Sequence, residues 1–166
     1  TRYMRFFYKP FTAIFTRSQD YVDSLTRLGM ERDRCVALMP GLETDRFNTS
    51  FRDDGIWKKI EAEPGAGCKG IGRSAAKILY VGRVSVEKNL PLLTTIWKDV
   101  NRRCLAANAP ADLVVVGDGP YRKEMQKELK GLNAYFLGFR HGDELSSIYA
   151  TSDAFVFPST TDTLGQ

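Results

Sequence analysis

One histidine and three cysteines are all that 166 residues hold of imidazole and thiolate metal ligands. Cys35, Cys68 and Cys104 stand far apart and are odd in number, which fits neither a disulfide framework nor a cysteine metal cluster, so a reducing, cytoplasmic setting is expected. The chain shows no clustered carboxylates or histidines of metal-site type, and no metal or other cofactor is expected. No apolar run approaches the roughly 18 residues of a membrane span, and Thr1-Arg2-Tyr3 does not open a signal peptide. A soluble or peripheral protein is expected. Strong charge of one sign is also missing. Lys and Arg number 24 against 20 Asp and Glu, a net +4 with a pI near 9.0. That balance suits an anionic nucleotide or a lipid surface, identifies no partner by itself, and gives no reason to expect nucleic acid. Asn48-Thr49-Ser50 matches the glycosylation acceptor pattern, a tripeptide common by chance, and nothing else in the chain points to secretion.

What is present is ordinary globular composition, 43% hydrophobic and 27% charged, in a chain long enough for one sizeable domain plus a piece of another. It begins without Met and ends at Gly165-Gln166 directly after a strand, so it is expected to be cut from a longer protein at both ends. Ala13 to Thr16 reads as a strand, a helix follows Ser18 with Tyr21, Val22, Leu25 and Leu28 at helical spacing, and Cys35 to Met39 reads as a second strand. A helix is expected within Phe51 to Ile60. Residues 61–76, with Pro64 and four glycines, have the composition of a flexible loop.

From Ile78 onward, strands at 78–82, 112–116, 134–137 and 153–157 alternate with helices at about 91–107, 120–130 and 143–150, which predicts an α/β fold with a doubly wound parallel sheet. Leu93, Ile96, Trp97, Val100 and Cys104 form one expected core stripe, and Tyr121, Met125 and Leu129 another.

The segment Ile78-Leu79-Tyr80-Val81-Gly82-Arg83-Val84-Ser85-Val86-Glu87-Lys88-Asn89 carries the most chemistry. A strand buried on both faces runs into a Gly-Arg turn and then a Lys at an expected helix start, at the sheet edge where open α/β proteins bind ligands. Arg83 supplies a planar fork and Lys88 a compact charge, two cations suited to a diphosphate; the competing reading is a pair of solvated loop charges. Gly117-Asp118-Gly119-Pro120 has helix-start chemistry, and Gly138-Phe139-Arg140-His141 leaves a strand where backbone groups would meet the edge of a base. His141 reads as a polar turn residue before a helix rather than a general base. Asp162, in the final polar loop, would either accept hydrogen bonds from sugar hydroxyls or cap a helix. Gly65-Ala66-Gly67-Cys68-Lys69-Gly70 matches the dinucleotide fingerprint letter for letter, yet no strand precedes it and no apolar helix follows, so it reads as a decoy.

In order and spacing, Gly82-Arg83 with Glu87-Lys88-Asn89, Val116 to Pro120, Phe136 to Phe139, and Phe157-Pro158-Ser159 with Asp162-Thr163-Leu164-Gly165 resemble the donor domain of retaining glycosyltransferases of family 4, which have the two-domain GT-B architecture. The likeness covers about residues 12–166, and Gly41 to Phe47 is similar to the family's crossing between domains. It implies residues 1–47 as the end of an acceptor domain plus the crossing, and 48–166 as part of the donor domain. Within the family, the chain resembles the branch with Asp in the final loop, which includes nucleotide-sugar-dependent α-mannosyltransferases and sulfolipid synthases. The resemblance implies transfer of a hexose from a UDP or GDP sugar to a lipid or glycan acceptor with retention, with contact to a membrane surface if the acceptor is a lipid. By it, Arg83 and Lys88 would grip the diphosphate and Asp162 would hold sugar hydroxyls. Gly82 and Gly117 would open the donor pocket, the amides of Thr163, Leu164 and Gly165 would meet sugar or phosphates, and the Gly138-Phe139 backbone the base. The family's second acidic residue would fall beyond Gln166, so the piece alone is expected to be inactive. The alternatives are a non-catalytic nucleotide-sugar or phosphate-binding module and, behind it, a nicotinamide-dependent oxidoreductase built on Gly65 to Gly70.

Overall fold

The computed structural model describes residues 2–38, 41, 44–65 and 67–160. They fall into two compact units, one within residues 1–42 and one spanning Glu43–Thr161.

The smaller unit holds helix α1 (Arg2–Tyr8), strand β1 (Ile14–Thr16), helix α2 (Gln19–Arg27) and strand β2 (Cys35–Ala37). β1 and β2 pair in parallel, Ile14 opposite Cys35, and Val22 of α2 and Met30 close a small core on them. The strand, helix, strand order agrees with the sequence reading. α1 was not expected, because its sequence has no apolar stripe of core type: Tyr8 packs inward while Tyr3 and Phe6 stay exposed.

The larger unit begins with a 3-10 turn at Thr49–Phe51 and helix α3 (Ile56–Ala62), so the expected helix at 51–60 is two pieces. Asn48 pins the turn: its Oδ1 accepts from the Ser50 amide at 2.9 Å and its Nδ2 donates to the Thr44 and Asp45 carbonyls. These bonds give the amide a structural role in the turn. Then follow β3 (Ala76–Val81), α4 (Leu90–Ala106), β4 (Ala111–Val116), α5 (Arg122–Glu128), β5 (Ala134–Gly138), α6 (Gly142–Thr151) and β6 (Ala154–Phe155). The last strand is shorter than the 153–157 expected.

All four strands are parallel, in the order β5-β4-β3-β6. Alternation along β4, buried at every position, divides the core in two. Leu113 and Val115 face α4 and α5 with Trp97 and Met125, while Val114 and Val116 face α3 and α6 with Trp57, Ile60 and Ile148. Helices on both faces make the sheet doubly wound, as the alternating pattern predicts. Of the expected stripe on α4, Leu93 and Trp97 are buried but Ile96 is 46% exposed, because it lies at the margin of the face that α4 turns to the sheet.

Residues 61–76 depart from the expected free loop. Glu61 and Ala62 complete α3, Cys68 and Ile71 are buried against the sheet, and Arg73 reaches Asp112 at the start of β4. A composition rich in glycine hid two apolar anchors, whose burial favours docking by about 1.5–3 kcal/mol for Ile71 alone. Asp112 also accepts from Lys77 Nζ at 2.8 Å, a buried pair at the amino edge of the sheet whose ammonium is completed by the Arg73 and Ala75 carbonyls and lies over the Trp57 ring.

Candidate functional site at the sheet switch point

The chain runs from β3 through α4 to β4 and through α5 to β5, then returns by α6 on the opposite face to place β6 on the other side of β3. Strand order therefore reverses between β3 and β6. In open α/β sheets, the crevice outside the carboxyl ends at that reversal is where ligands bind.

Three strands leave the sheet there through glycine. Gly82 follows β3, Gly117 follows β4 and Gly138 closes β5, beside an irregularity in pairing at Val115/Val116. The first two are hydrogen-bonded extensions of the sheet: the Gly82 amide donates to Val116 O at 3.0 Å and the Gly117 amide to Gly138 O at 2.7 Å. Gly117 has φ +120°, and a Cβ on it would lie 3.0 Å from the Gly82 carbonyl carbon and closer still to its oxygen. A Cβ on Gly119 would come within 2.9 Å of the Val84 backbone. These glycines let two strand-exit loops touch each other.

Arg83 sits directly on this packed floor. Its carbonyl accepts from the buried Tyr80 hydroxyl at 3.0 Å, which fixes the loop from inside the core, while its guanidinium is 65% exposed and pairs with Glu87 at 3.3 Å. A cavity of about 300 Å³ opens beside it, lined by Arg83, Ser85, Val86, Glu87, Pro120 and Tyr121 among others. Lys88 lies not at the start of α4, as expected, but at the end of a 3-10 turn, Val86–Lys88, whose last amide bonds return to Ser85 and Val86. Asn89 follows in the left-handed region (φ 57°, ψ 30°), and α4 begins at Leu90 with proline in its first turn.

On the neighbouring exits, Asp118 accepts from the Gly119 amide and from Arg122, both at 2.7 Å, and those bonds, the amide first, hold its carboxyl below the ordinary range. Arg122 also reaches the Phe136 carbonyl, joining the two turns. Phe139 is 69% exposed, and its ring stacks on that of His141 at 6.3 Å between centroids. His141 is the residue before α6, as the sequence reading had it. Arg140 is nearly enclosed, donating to both Glu63 oxygens at 2.8 and 2.6 Å, to Glu144 and to the Leu137 carbonyl. Glu63 raises its affinity for the proton most. That guanidinium is committed to the fold.

Gly82, Arg83, Lys88, Gly117, Gly138 and Phe139 are thus gathered on adjoining exits of one sheet edge. Asp162, Thr163, Leu164 and Gly165 lie outside the described residues. The sequence reading missed Asn89, whose side chain bonds across to Pro158, as well as Tyr80 and Arg122; only Asn89 carried a signal, Asn being one of the few side chains suited to left-handed backbone. Of the Gly65 to Gly70 segment, the described residues Gly67 to Gly70 lead through turns toward β3 and open no helix, so they lack the feature that lets a glycine fingerprint hold a pyrophosphate. A cleft of about 560 Å³ beside β5, lined in part by Lys69, Arg122 and Lys130, is larger than the cavity at Arg83 but contains none of the expected donor residues. Strand order, rather than size, places the site. No group of three or more His, Cys, Asp or Glu of metal-site type occurs among the described residues, and no helix among them is long and apolar enough to cross a membrane.

Comparison with known proteins places this arrangement. The sequence profile described as Glycosyl transferases group 1 matches residues 75–166. Sulfoquinovosyl transferase SQD2 of Arabidopsis thaliana is 34% identical over 125 residues, 75% of this chain and 21% of its own length. A GDP-mannose-dependent alpha-mannosyltransferase of Mycobacterium tuberculosis is 37% identical over 126 residues, 76% of this chain and 28% of its own. The match therefore spans only about a fifth to just over a quarter of such relatives' length. In fold, Anabaena Alr3699/HepE, whose crystal structure is of a complex with UDP-glucose, superposes with a TM-score of 0.61 at 18% identity, over 93% of this chain and 40% of that one.

Proposed function

The chain belongs to the glycosyl transferases group 1, and from that premise we propose that it forms the donor-binding part of an enzyme that moves a hexose from a nucleotide diphosphate sugar to a lipid or glycan acceptor with retention of configuration. The observation that carries this is the placement of Arg83, exposed and anchored through its own carbonyl, on the exit of β3, one of the two strands between which the order of the sheet reverses. In this reading Arg83 and Lys88 meet the diphosphate. As the glycosidic bond breaks, negative charge grows on the departing phosphate, and fixed cations that stabilise it there lower the barrier without covalent chemistry. Asp162 holds hydroxyls of the transferred sugar, the amides of Thr163, Leu164 and Gly165 approach sugar or phosphates, and the Gly138-Phe139 backbone meets the base.

A nucleotide-sugar donor is in keeping with the relatives, one a sulfoquinovosyl transferase and one GDP-mannose-dependent. A lipid acceptor would bring the protein to a membrane surface, and the mild positive charge is compatible with one. The three cysteines form no disulfide with one another, in keeping with a cytoplasmic setting.

Calorimetric titration of the chain with UDP-glucose and with GDP-mannose tests the reading. Saturable binding of one, weakened at least tenfold in Arg83→Ala, is the expected result. Binding of either donor that is indifferent to Arg83 would remove Arg83 from the site, and absence of binding by both would overturn the donor-domain assignment.

A further inference from the structure

The residue before α4 is an asparagine whose side chain does not cap the helix. Asn is among the residues that ordinarily accept a hydrogen bond from the first turn, yet the Asn89 side chain makes no such bond. Its Nδ2 instead donates to the Pro158 carbonyl at 3.1 Å, a partly buried contact between residues 69 apart in sequence. The backbone at Asn89 is left-handed, at φ 57° and ψ 30°. Asn is one of few residues that tolerate this conformation, and glycine adopts it with less strain. The carbonyl it meets belongs to the loop leaving β6, while Asn89 closes the loop leaving β3, and β3 and β6 are the neighbours between which strand order reverses. That is the crevice itself.

We propose that Asn89 is a positioning residue that latches the β3 exit loop to the β6 exit loop, so that a ligand at the switch point meets the two as one preformed surface. The pairing of the strands beneath is anchored at its amino end, where the Asp153 amide donates to Lys77 O and the Asp153 carboxylate accepts from the Lys77 amide, and it stops short of the loops: β3 and β6 share two register positions, Ile78 with Ala154 and Leu79 with Phe155, and the last amide bond runs from Val156 to Leu79 O. Beyond it, among the described residues, the loop at 157–160 is hydrogen-bonded to the β3 side through the Asn89 amide. The consequence for a sugar nucleotide rests on the function proposed above; the latch does not.

Asn89→Gly keeps the left-handed backbone and deletes only the side-chain amide, and Asn89→Asp keeps the shape but sets a carboxylate against a carbonyl. Hydrogen exchange on the unliganded chain, read by peptide mass spectrometry, decides the latch. In Asn89→Gly, amides at Val156 and at 159–160 should exchange at least fivefold faster, in Asn89→Asp faster still at pH 7, with the midpoint of thermal unfolding unchanged in the glycine variant. Unchanged exchange there, or acceleration spread evenly over the sheet with a lowered midpoint, overturns the proposal. Titration with UDP-glucose and GDP-mannose gives the functional arm: affinity for whichever the wild type binds should fall about fivefold in Asn89→Gly, as loss of one neutral hydrogen bond predicts. Faster exchange with undiminished donor affinity would refute the positioning role, and failure of the wild type to bind either donor would refute the donor reading while exchange still decides the latch.

Discussion

Replacing Gly117 by alanine should destabilise the larger unit by about 3 kcal/mol. Two separable costs add. Holding an L-residue at φ +120° costs on the order of 1–3 kcal/mol in backbone strain. The new methyl would also stand 3.0 Å from the Gly82 carbonyl carbon, where ordinary contact is about 3.5–4.0 Å, so one of the two exit loops has to shift. That shift loads the bonds joining the exits, Gly82 N to Val116 O, Gly117 N to Gly138 O and Val84 N to Asp118 O, each worth about 1 kcal/mol. Urea unfolding followed by tryptophan fluorescence reads the larger unit selectively, because Trp57 and Trp97 both lie within it. At 2–4 °C per kcal/mol for a chain of this size, the thermal midpoint should fall by about 10 °C. Gly131→Ala is the control. It has φ +80° but nothing within 4 Å of the added carbon, so it should show the strain alone, about 1 kcal/mol. Equal losses at the two positions would refute the account, since they would mean that the approach of the two loops contributes nothing.

Arg83→Ala should leave unfolding within about 0.5 kcal/mol of wild type, because its pair with Glu87 is solvated on both sides, while charge-assisted bonds to a phosphate would be lost at 10- to 100-fold in donor affinity; urea midpoints and titration report the two effects separately. Asp112→Ala should cost about 3–5 kcal/mol, since it strands the Lys77 ammonium, 2% exposed, at the buried edge of the sheet, whereas the double change Lys77→Met with Asp112→Leu should recover most of that stability in the same urea measurement. Arg140 holds the Glu63 carboxyl below its ordinary range, so the pair favours the folded state above the unfolded carboxylate's pKa, near 4.3, and that contribution disappears as pH falls through the lower folded value; a stability profile from pH 6 to 3 should be flatter in Glu63→Gln than in wild type. Burial pushes the Cys68 thiol up and shields it, so iodoacetamide at pH 8 should label Cys68 only after unfolding; fast labelling in the native chain would show that residues 67–72 are not docked on the sheet.

The parts of the fold that were legible are those that the chain writes locally. β3, β4 and β5 are apolar runs of strand length stopped by glycine, and α4 and α5 carry stripes at helical spacing, so their type and order follow from period and punctuation. Lys77 and Asp112 lie in those strands and would ordinarily argue for exposure. They are buried because parallel pairing sets them side by side, a neutralisation that two positions 35 apart do not announce. The 61–76 segment failed for the converse reason: its glycines describe the backbone correctly, but Cys68 and Ile71 are too few to form a pattern, and what they pack against is supplied by α6 and the far strands.

At the site, the same letters proved to carry two meanings. Gly-Asp-Gly-Pro after β4 reads as a helix start, and the resemblance adds Gly82 and Gly117 to the donor pocket, yet the close approach at Gly117 and Gly119 is to Gly82 and Val84, between the loops themselves. A glycine required by the fold at a strand exit cannot be told in sequence from one required by a phosphate, since both need the absence of a Cβ. The distinction has an experimental consequence. Loss of donor binding in Gly117→Ala would follow from displaced loops whether or not a ligand ever touches that residue, so binding deficits there carry no information about contact. Arg83 is the position where contact and folding separate, because its carbonyl serves the loop and its guanidinium does not. Substituting the side chain leaves the Tyr80 bond intact, and any change in donor affinity then belongs to the site.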